Sequence, residues 1–423
     1  MRTWYPRFRG KKTARGEKLH ILGMLRAQRR HISFHTPGHK RGGADITELS
    51  YSDNLASPAG VIAEAQADLA RITGAAQSFL LTDGSTSGVH AMLHALASRG
   101  IRRVACPERS HRSVATGCEL AGLVRGPVFC GTAAGIPLQP TAKDAETALS
   151  QADALLVTSP DYYGNFPDLA ALRALCDREN KPLVIDGAHG AHLHGTPLYA
   201  GRYADMWVDG VHKSLPALTQ GALVSAGSGW TDALASSVGY FRTTSPSYPI
   251  MASVEYAVKY PRNAALEEAA QALKARIGAY PNADWSKLLL PFGDRADAAQ
   301  AALERQGIYP EFNDGNYLMF YLSPATTRGE LKTLERALRR LPRGTLRTLQ
   351  AERGEIPLGA RIVALPPAEA EGRVCAADCG LFPPCIPLIL RGERVGAAQA
   401  ALLQRAGGTF GLQEGKIPVF EEA

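Results

Sequence analysis

The chain has 423 residues, 45% hydrophobic and 21% charged, the proportions of a globular protein with room for two cores rather than of a disordered or collagen-like one. No run reaches the roughly 20 apolar residues of a spanning helix, and the start, MRTWYPRFRGKKTARG, lacks the apolar core of a leader, so a cytoplasmic protein is expected. The formal charge of +7 is local: residues 1–41 hold 12 Lys or Arg against Glu17 alone, which leaves −4 for the remainder and favours a solvated basic arm over a nucleic-acid-binding or membrane-bound body.

In chain order, Glu17–Arg30 carries a helical stripe of Leu19, Ile21, Leu22, Met24 and Leu25, followed by the turn-like His31–Lys40. Val61–Ile72 reads as a helix, Ser78–Thr82 as a buried strand, Asp83–Gly88 as a polar turn and Val89–Ala97 as a helix. The alternation continues with strands at Arg103–Cys106, Leu155–Thr158 and Leu183–Asp186 and helices at Ser113–Ala121 and Leu169–Glu179. Such alternation specifies an α/β domain with a mostly parallel sheet, whose ligands collect at the carboxyl ends of the strands. One helix is expected across Tyr256–Gly278, then strands at Gly307–Glu311 and Tyr317–Leu322 and helices at Arg328–Arg339 and Ala398–Ala406. The expected organisation is a basic arm and helix over 1–45, a large domain over 46–274 and a smaller α+β domain over 275–423.

Seven scattered cysteines suit reduced thiols better than a disulfide framework. Cys375, Cys379 and Cys385 cluster without the paired spacing or the histidine of a zinc site, so buried thiols and no metal are expected.

Lys213 follows the apolar Met206-Trp207-Val208 and is expected at a strand end, where a lysine with lowered pKa can form a Schiff base. Asp186 closes the apolar Pro182–Ile185, and a buried carboxylate there demands a cationic or hydrogen-bonding partner, a role that a protonated pyridine nitrogen fills. In Gly84-Ser85-Thr86-Ser87-Gly88, hydroxyls and N–H groups at a helix start suit a phosphate, although the same turn reads equally as an ordinary helix cap.

In this order, with 27 residues between Asp186 and Lys213, these elements resemble a fold-type-I pyridoxal-phosphate enzyme. His35-Thr36-Pro37-Gly38-His39-Lys40, Thr158-Ser159-Pro160 with Tyr162-Tyr163-Gly164, His189-Gly190-Ala191-His192, His212-Lys213 with Leu215–Gln220, and Thr244–Tyr248 resemble the Orn/Lys/Arg decarboxylase major-domain family. The resemblance spans about residues 17–260 and resumes at Pro383-Pro384, Ile386-Pro387 and Gly392-Glu393. It implies pyridoxal 5'-phosphate as cofactor, Lys213 as the Schiff-base lysine and Asp186 as the partner of the ring nitrogen. It further implies His111 stacked on the ring with Ala188 beneath it, His189 in the same site, Ser85, Thr86 and Ser87 on the phosphate and His212 beside it. Thr244 and Ser245 would reach the neighbouring subunit's phosphate, making a homodimer the minimum unit.

Departures from the family pattern cluster near the site. Gly187 stands where an acid is usual and Gly210 where a serine is usual; Asn54, Ala56 and Ala59 interrupt an acidic segment, Ala377 replaces a glutamate and Cys385 a glycine. Three readings of function follow. The first is decarboxylation of arginine, lysine or ornithine to the amine, within amino-acid and polyamine metabolism. The second is transamination or another lyase reaction on a different amino acid, and the third a catalytically silent, cofactor-binding regulatory paralogue.

Overall fold

Short apolar runs bounded by glycine, proline and polar residues become strands in the computed structural model, which describes residues 17–27, 32–40, 44–347, 352–356 and 359–421. The first sixteen residues of the basic arm lie outside these. Helix α1 (His20–Ala27) buries Ile21, Leu22 and Leu25; residues 28–30 of the longer helix expected here lie outside the described residues. Its first N–H groups are satisfied by a distant carboxylate, Glu255, which accepts from Ile21 N at 3.0 Å. At α2 (Val61–Thr73) the retained acid of the 53–60 segment caps the entry: Asp53 accepts from the N–H groups of Ala59, Gly60 and Ile62.

Strands and helices then alternate: β1 (Gln77–Leu81), α3 (Gly84–Ser98), β2 (Arg103–Pro107), α4 (Arg112–Ala121), β3 (Val124–Val128), a hairpin of β4 (Thr132–Ala133) and β5 (Ile136–Pro137), α5 (Ala142–Leu149), β6 (Ala154–Thr158), α6 (Leu169–Arg178), β7 (Leu183–Gly187), β8 (Met206–Asp209), α7 (Val211–Ser214), β9 (Ala222–Ala226), α8 (Thr231–Phe241) and α9 (Tyr248–Val258). Seven strands form one sheet in the order β1-β9-β8-β7-β6-β2-β3. From β8 to β3 every pairing is parallel; β9 runs antiparallel to β8 and β1. Both faces are covered. Leu93, Val208 and Val224 pack with α3 and α8 on one side, while Leu155, Ile185 and Trp207 pack with α5 and α6 on the other. Each fully buried aliphatic side chain contributes about 1.5–3 kcal/mol, and parallel strands read as continuous apolar runs because neither face meets water.

The rest of the chain supplies α10 (Ala264–Arg276), β10 (Lys287–Pro291), α11 (Ala296–Glu304), β11 (Phe312–Asn313), β12 (Tyr317–Tyr321), α12 (Arg328–Leu338), β13 (Ile362–Leu365), β14 (Cys379–Leu381), β15 (Pro387–Ile389), α13 (Ala397–Arg405), β16 (Thr409–Phe410) and β17 (Ile417–Phe420). β10, β12 and β11 form an antiparallel sheet, and Leu266 and Leu273 of α10 share its core with Leu288, Leu290 and Phe320.

Two expectations are corrected. The single helix across 256–278 is two helices, α9 and α10, interrupted at Pro261, which has no N–H to continue the ladder. Residues 307–311 form no strand: Gly307 takes φ 74° just after α11, Pro310 cannot donate, and pairing begins only at Phe312. Among the described residues no helix is long and apolar enough to cross a membrane.

Candidate active site

Lys213 is carried not by the end of a strand but by α7, a single helical turn after β8, so that expectation is corrected. The turn is tied down by Lys213 N donating to Gly210 O and His212 N to Gly221 O. Burial lowers the Lys213 pKa, with the Asp186 carboxylate pulling the other way. Its Nζ lies 3.2 Å from His189 Nε2.

Asp186 sits on β7, next to Gly187 at the strand's carboxyl end, and is 3% exposed. Among the described residues its carboxylate receives one hydrogen bond, from Ala188 N to Oδ1 at 3.1 Å, which leaves Oδ2 for a ligand. His111 lies past the end of β2 and caps α4: Nδ1 accepts from Ser113 N at 3.1 Å, placing the ring proton on Nε2. Burial pushes its pKa down to about 4, so the ring is neutral above that.

Asp186, Ala188, His189, Lys213, His111 and Ser85 line one cleft at the carboxyl end of the sheet. His189 is held by Tyr321 from β12, its Nδ1 3.2 Å from the phenol oxygen, and by the edge of Tyr162, ring centroids 4.7 Å apart. The Gly84–Gly88 segment is not a separate turn but the first turn of α3. There Ser87 Oγ is spent on Gly84 O at 2.8 Å and Thr86 is exposed, so Ser85 is the hydroxyl of the three that lines the cleft. Neither His212, half-buried with its pKa pushed down to about 4 by burial and Lys213, nor Thr244 and Ser245, both exposed after α8, lines it.

Two carboxylates that carry no local signature also line the cleft, Glu108 and Asp161. Asp161 is engaged by Gln139 Nε2 at 2.7 Å and Asn165 N at 2.8 Å. Glu108 accepts from the guanidinium of Arg353, which also lies over the Phe129 ring. The three clustered cysteines separate: Cys375 and Cys379 are buried with sulfurs 3.9 Å apart, and Cys385 lies partly exposed near Lys213.

The glycines at 187 and 210 have a packing role. A Cβ on Gly210 would stand 2.4 Å from Ala188 O, and one on Gly187 2.8 Å from Val208 O. The backbones after β7 and β8 approach too closely for the larger residues expected there. Gly210→Ser is therefore expected to lower unfolding free energy by about 1–3 kcal/mol; a urea midpoint equal to wild type would show that the segment yields freely.

Residues 43–279 match the family described as Orn/Lys/Arg decarboxylase, major domain. An arginine decarboxylase of Bacillus subtilis is 26% identical over 438 residues, covering 87% of this chain and 89% of its own. An uncharacterized protein of the same organism is 28% identical over 446 residues, covering 90% and 92%. The constitutive lysine decarboxylase of E. coli superposes with a TM-score of 0.70 at 18% identity, covering 96% of this chain and 82% of that one. An SPT solved with PLP gives 0.53 at 16% identity, covering 66% and 75%. These two likenesses identify the fold, that of the fold-type-I pyridoxal-phosphate enzymes.

Proposed function

Because the chain belongs to the Orn/Lys/Arg decarboxylase major-domain family, we propose that it removes the α-carboxyl group of arginine, lysine or ornithine, using pyridoxal phosphate held in the cleft at Lys213. The observation that carries this reading is the convergence of an amine, a deep carboxylate and a neutral imidazole, Lys213, Asp186 and His111, from the carboxyl ends of β8, β7 and β2. The donor set suits the cofactor. Asp186 keeps one oxygen without a protein partner, and the 15-residue α3 begins with no side-chain cap, which favours an anion at its N–H groups.

When bound, pyridoxal phosphate supplies an aldehyde for amines and a protonated ring that takes up the electron pair released as CO2 departs. Lys213, shifted by burial toward its uncharged form, offers the attacking amine. Asp186 Oδ2 would hold the proton on the ring nitrogen, and His111 would present a flat, uncharged face. Ser85 and the first N–H groups of α3 would hold the phosphate. Pro107, Pro137, Leu138 and Ile386 wall the cleft and limit water. Lys213, which lines the same cleft, would be the group to return a proton to Cα.

The test is product analysis with arginine, lysine and ornithine after addition of the cofactor. CO2 and the matching amine are expected from at least one; keto acid without CO2 would assign transamination, and no product from any of the three would overturn the reading.

Glu108 is proposed to receive the substrate's distal cation. It lines the cleft and already accepts a guanidinium from the exposed Arg353, whereas both oxygens of Asp161 are occupied. A charge-assisted bond contributes about 1.5–3 kcal/mol, so Glu108→Gln is expected to raise KM for the cationic substrate roughly tenfold or more with kcat little changed, in steady-state assays. We further propose a cytoplasmic homodimer in which Thr244 and Ser245, exposed and not lining their own chain's cleft, complete the partner's phosphate site.

A further inference from the structure

We infer that Tyr321, on β12 of the small antiparallel sheet, is a positioning residue that fixes the tautomer of His189 so that a lone pair, not an N–H, faces Lys213; its role in turnover rests on the decarboxylase reading above. The hydrogen-bond pattern determines the assignment. A phenol has one proton, and the Tyr321 hydroxyl donates to His189 O at 3.3 Å. The same oxygen lies 3.2 Å from His189 Nδ1, so Nδ1 carries the ring proton and donates it to the phenol oxygen. Nε2 is left as an acceptor, 3.2 Å from Lys213 Nζ.

Everything facing the pair keeps both aromatic groups neutral. Burial, then Lys213, Lys287, His111 and His212, holds the His189 pKa well below its usual value. Burial, then the Asp284 and Glu311 carboxylates and the neighbouring Tyr162, holds the Tyr321 phenol protonated, and Lys287 Nζ lies 5.5 Å from the Tyr321 ring centroid. The rings of His189 and Tyr321 are nearly parallel, 19° apart at 5.9 Å. Asp186, Glu311 and Cys385 face Lys213 itself.

The tautomer matters because an uncharged lysine has a single lone pair. With Nε2 as acceptor, an N–H of Lys213 points at His189 and the lone pair stays free to attack a carbonyl. With the opposite tautomer, Nε2–H would donate into that lone pair and block it. Tyr321 is 108 residues from Lys213, so contact between the small sheet and His189 ties readiness of the amine to correct seating of that sheet.

Tyr321→Phe removes the acceptor for Nδ1–H. In apo-protein mixed with pyridoxal phosphate, the rate of covalent attachment to Lys213, followed by absorbance, is expected to fall roughly tenfold, the worth of one hydrogen bond. Long-range proton–nitrogen spectra of histidine-labelled apo-protein, with His189 assigned through His189→Asn, are expected to show Nδ1–H in the wild type and a mixture in Tyr321→Phe. An attachment rate within twofold of wild type in a folded variant, or an Nε2–H tautomer in the wild type, would overturn the inference. If Tyr321→Phe fails to fold, the wild-type spectrum alone decides. Neither readout requires decarboxylation, so a protein that releases no CO2 yet shows both results would defeat the functional reading and leave this one standing.

Discussion

Lys213→Ala is expected to abolish covalent cofactor attachment and to lower kcat by on the order of 10⁴-fold or more, the scale seen when a group that acts as part of a catalytic unit is removed. The wild-type amine is suited to attachment because burial favours its uncharged form while Asp186, nearby, limits how far the shift goes. The check is borohydride reduction of the loaded protein followed by peptide mass mapping: the tag is expected on Lys213 in the wild type and nowhere in the variant. Lys287 and Lys274 are the controls, since both are buried. Lys287 Nζ is bound to Asp161 O and paired with Asp284, and Lys274 Nζ is bound to Asn282 Oδ1. A tag on either would show that the cofactor sits elsewhere. The variant itself is expected to fold, because α7 is held by backbone bonds and by the buried Ser214, and among the described residues the lysine amine makes one hydrogen bond, to His189.

The parts of this site that were legible in the sequence are those in which an ionisable residue directly follows an apolar strand. Asp186 after Leu183-Val184-Ile185 and Lys213 after Met206-Trp207-Val208 carry their own context, and the parallel register of β7 with β8 brings their ends together. His111 is implied only by the family resemblance, and it lines the same cleft. Glu108 and Tyr321 carry no such local mark. Tyr321 is one of several aromatics on an ordinary-looking strand, and it matters only because β12 meets His189 across 132 residues of sequence. The missing acids at 54, 59 and 377 read as a damaged site, but none of these positions lines the cleft of the single chain. Asp53 retains the capping duty of its segment, and Ala377 packs into the core around β14. Gly187 and Gly210 read as lost functional groups for the same reason: a one-dimensional pattern shows the absent side chain but not the carbonyl oxygen that now occupies its space. The misread helix across 256–278 is different, since Pro261 was in plain view and its missing donor outweighs the helical stripe around it.

Asp186→Asn is expected to separate cofactor attachment from turnover. Asparagine matches aspartate in shape and its side-chain oxygen still accepts from Ala188 N, so the local fold is retained. Removing the carboxylate takes away the influence that raises the Lys213 pKa, and with burial then unopposed by Asp186 the amine moves further toward its uncharged form. Attachment near neutral pH is therefore expected to proceed at least as fast as in the wild type, with its pH profile displaced to lower pH. Turnover behaves oppositely. The negative charge that holds the proton on the ring nitrogen is lost, and the ring then accepts the departing electron pair poorly. Preorganised charge of this kind acts on the transition state and hardly on substrate binding, so kcat is expected to fall by on the order of 10³-fold with KM changed by less than about threefold. The apo-variant is expected to match or exceed wild type in urea stability, because a carboxylate 3% exposed with one hydrogen bond costs desolvation energy that a neutral amide largely avoids. Absorbance titration, steady-state CO2 release and a urea melt on the same preparation separate the three quantities. Attachment displaced to lower pH together with unchanged kcat would remove Asp186 from the ring nitrogen and leave it as a counter-charge to Lys213 alone.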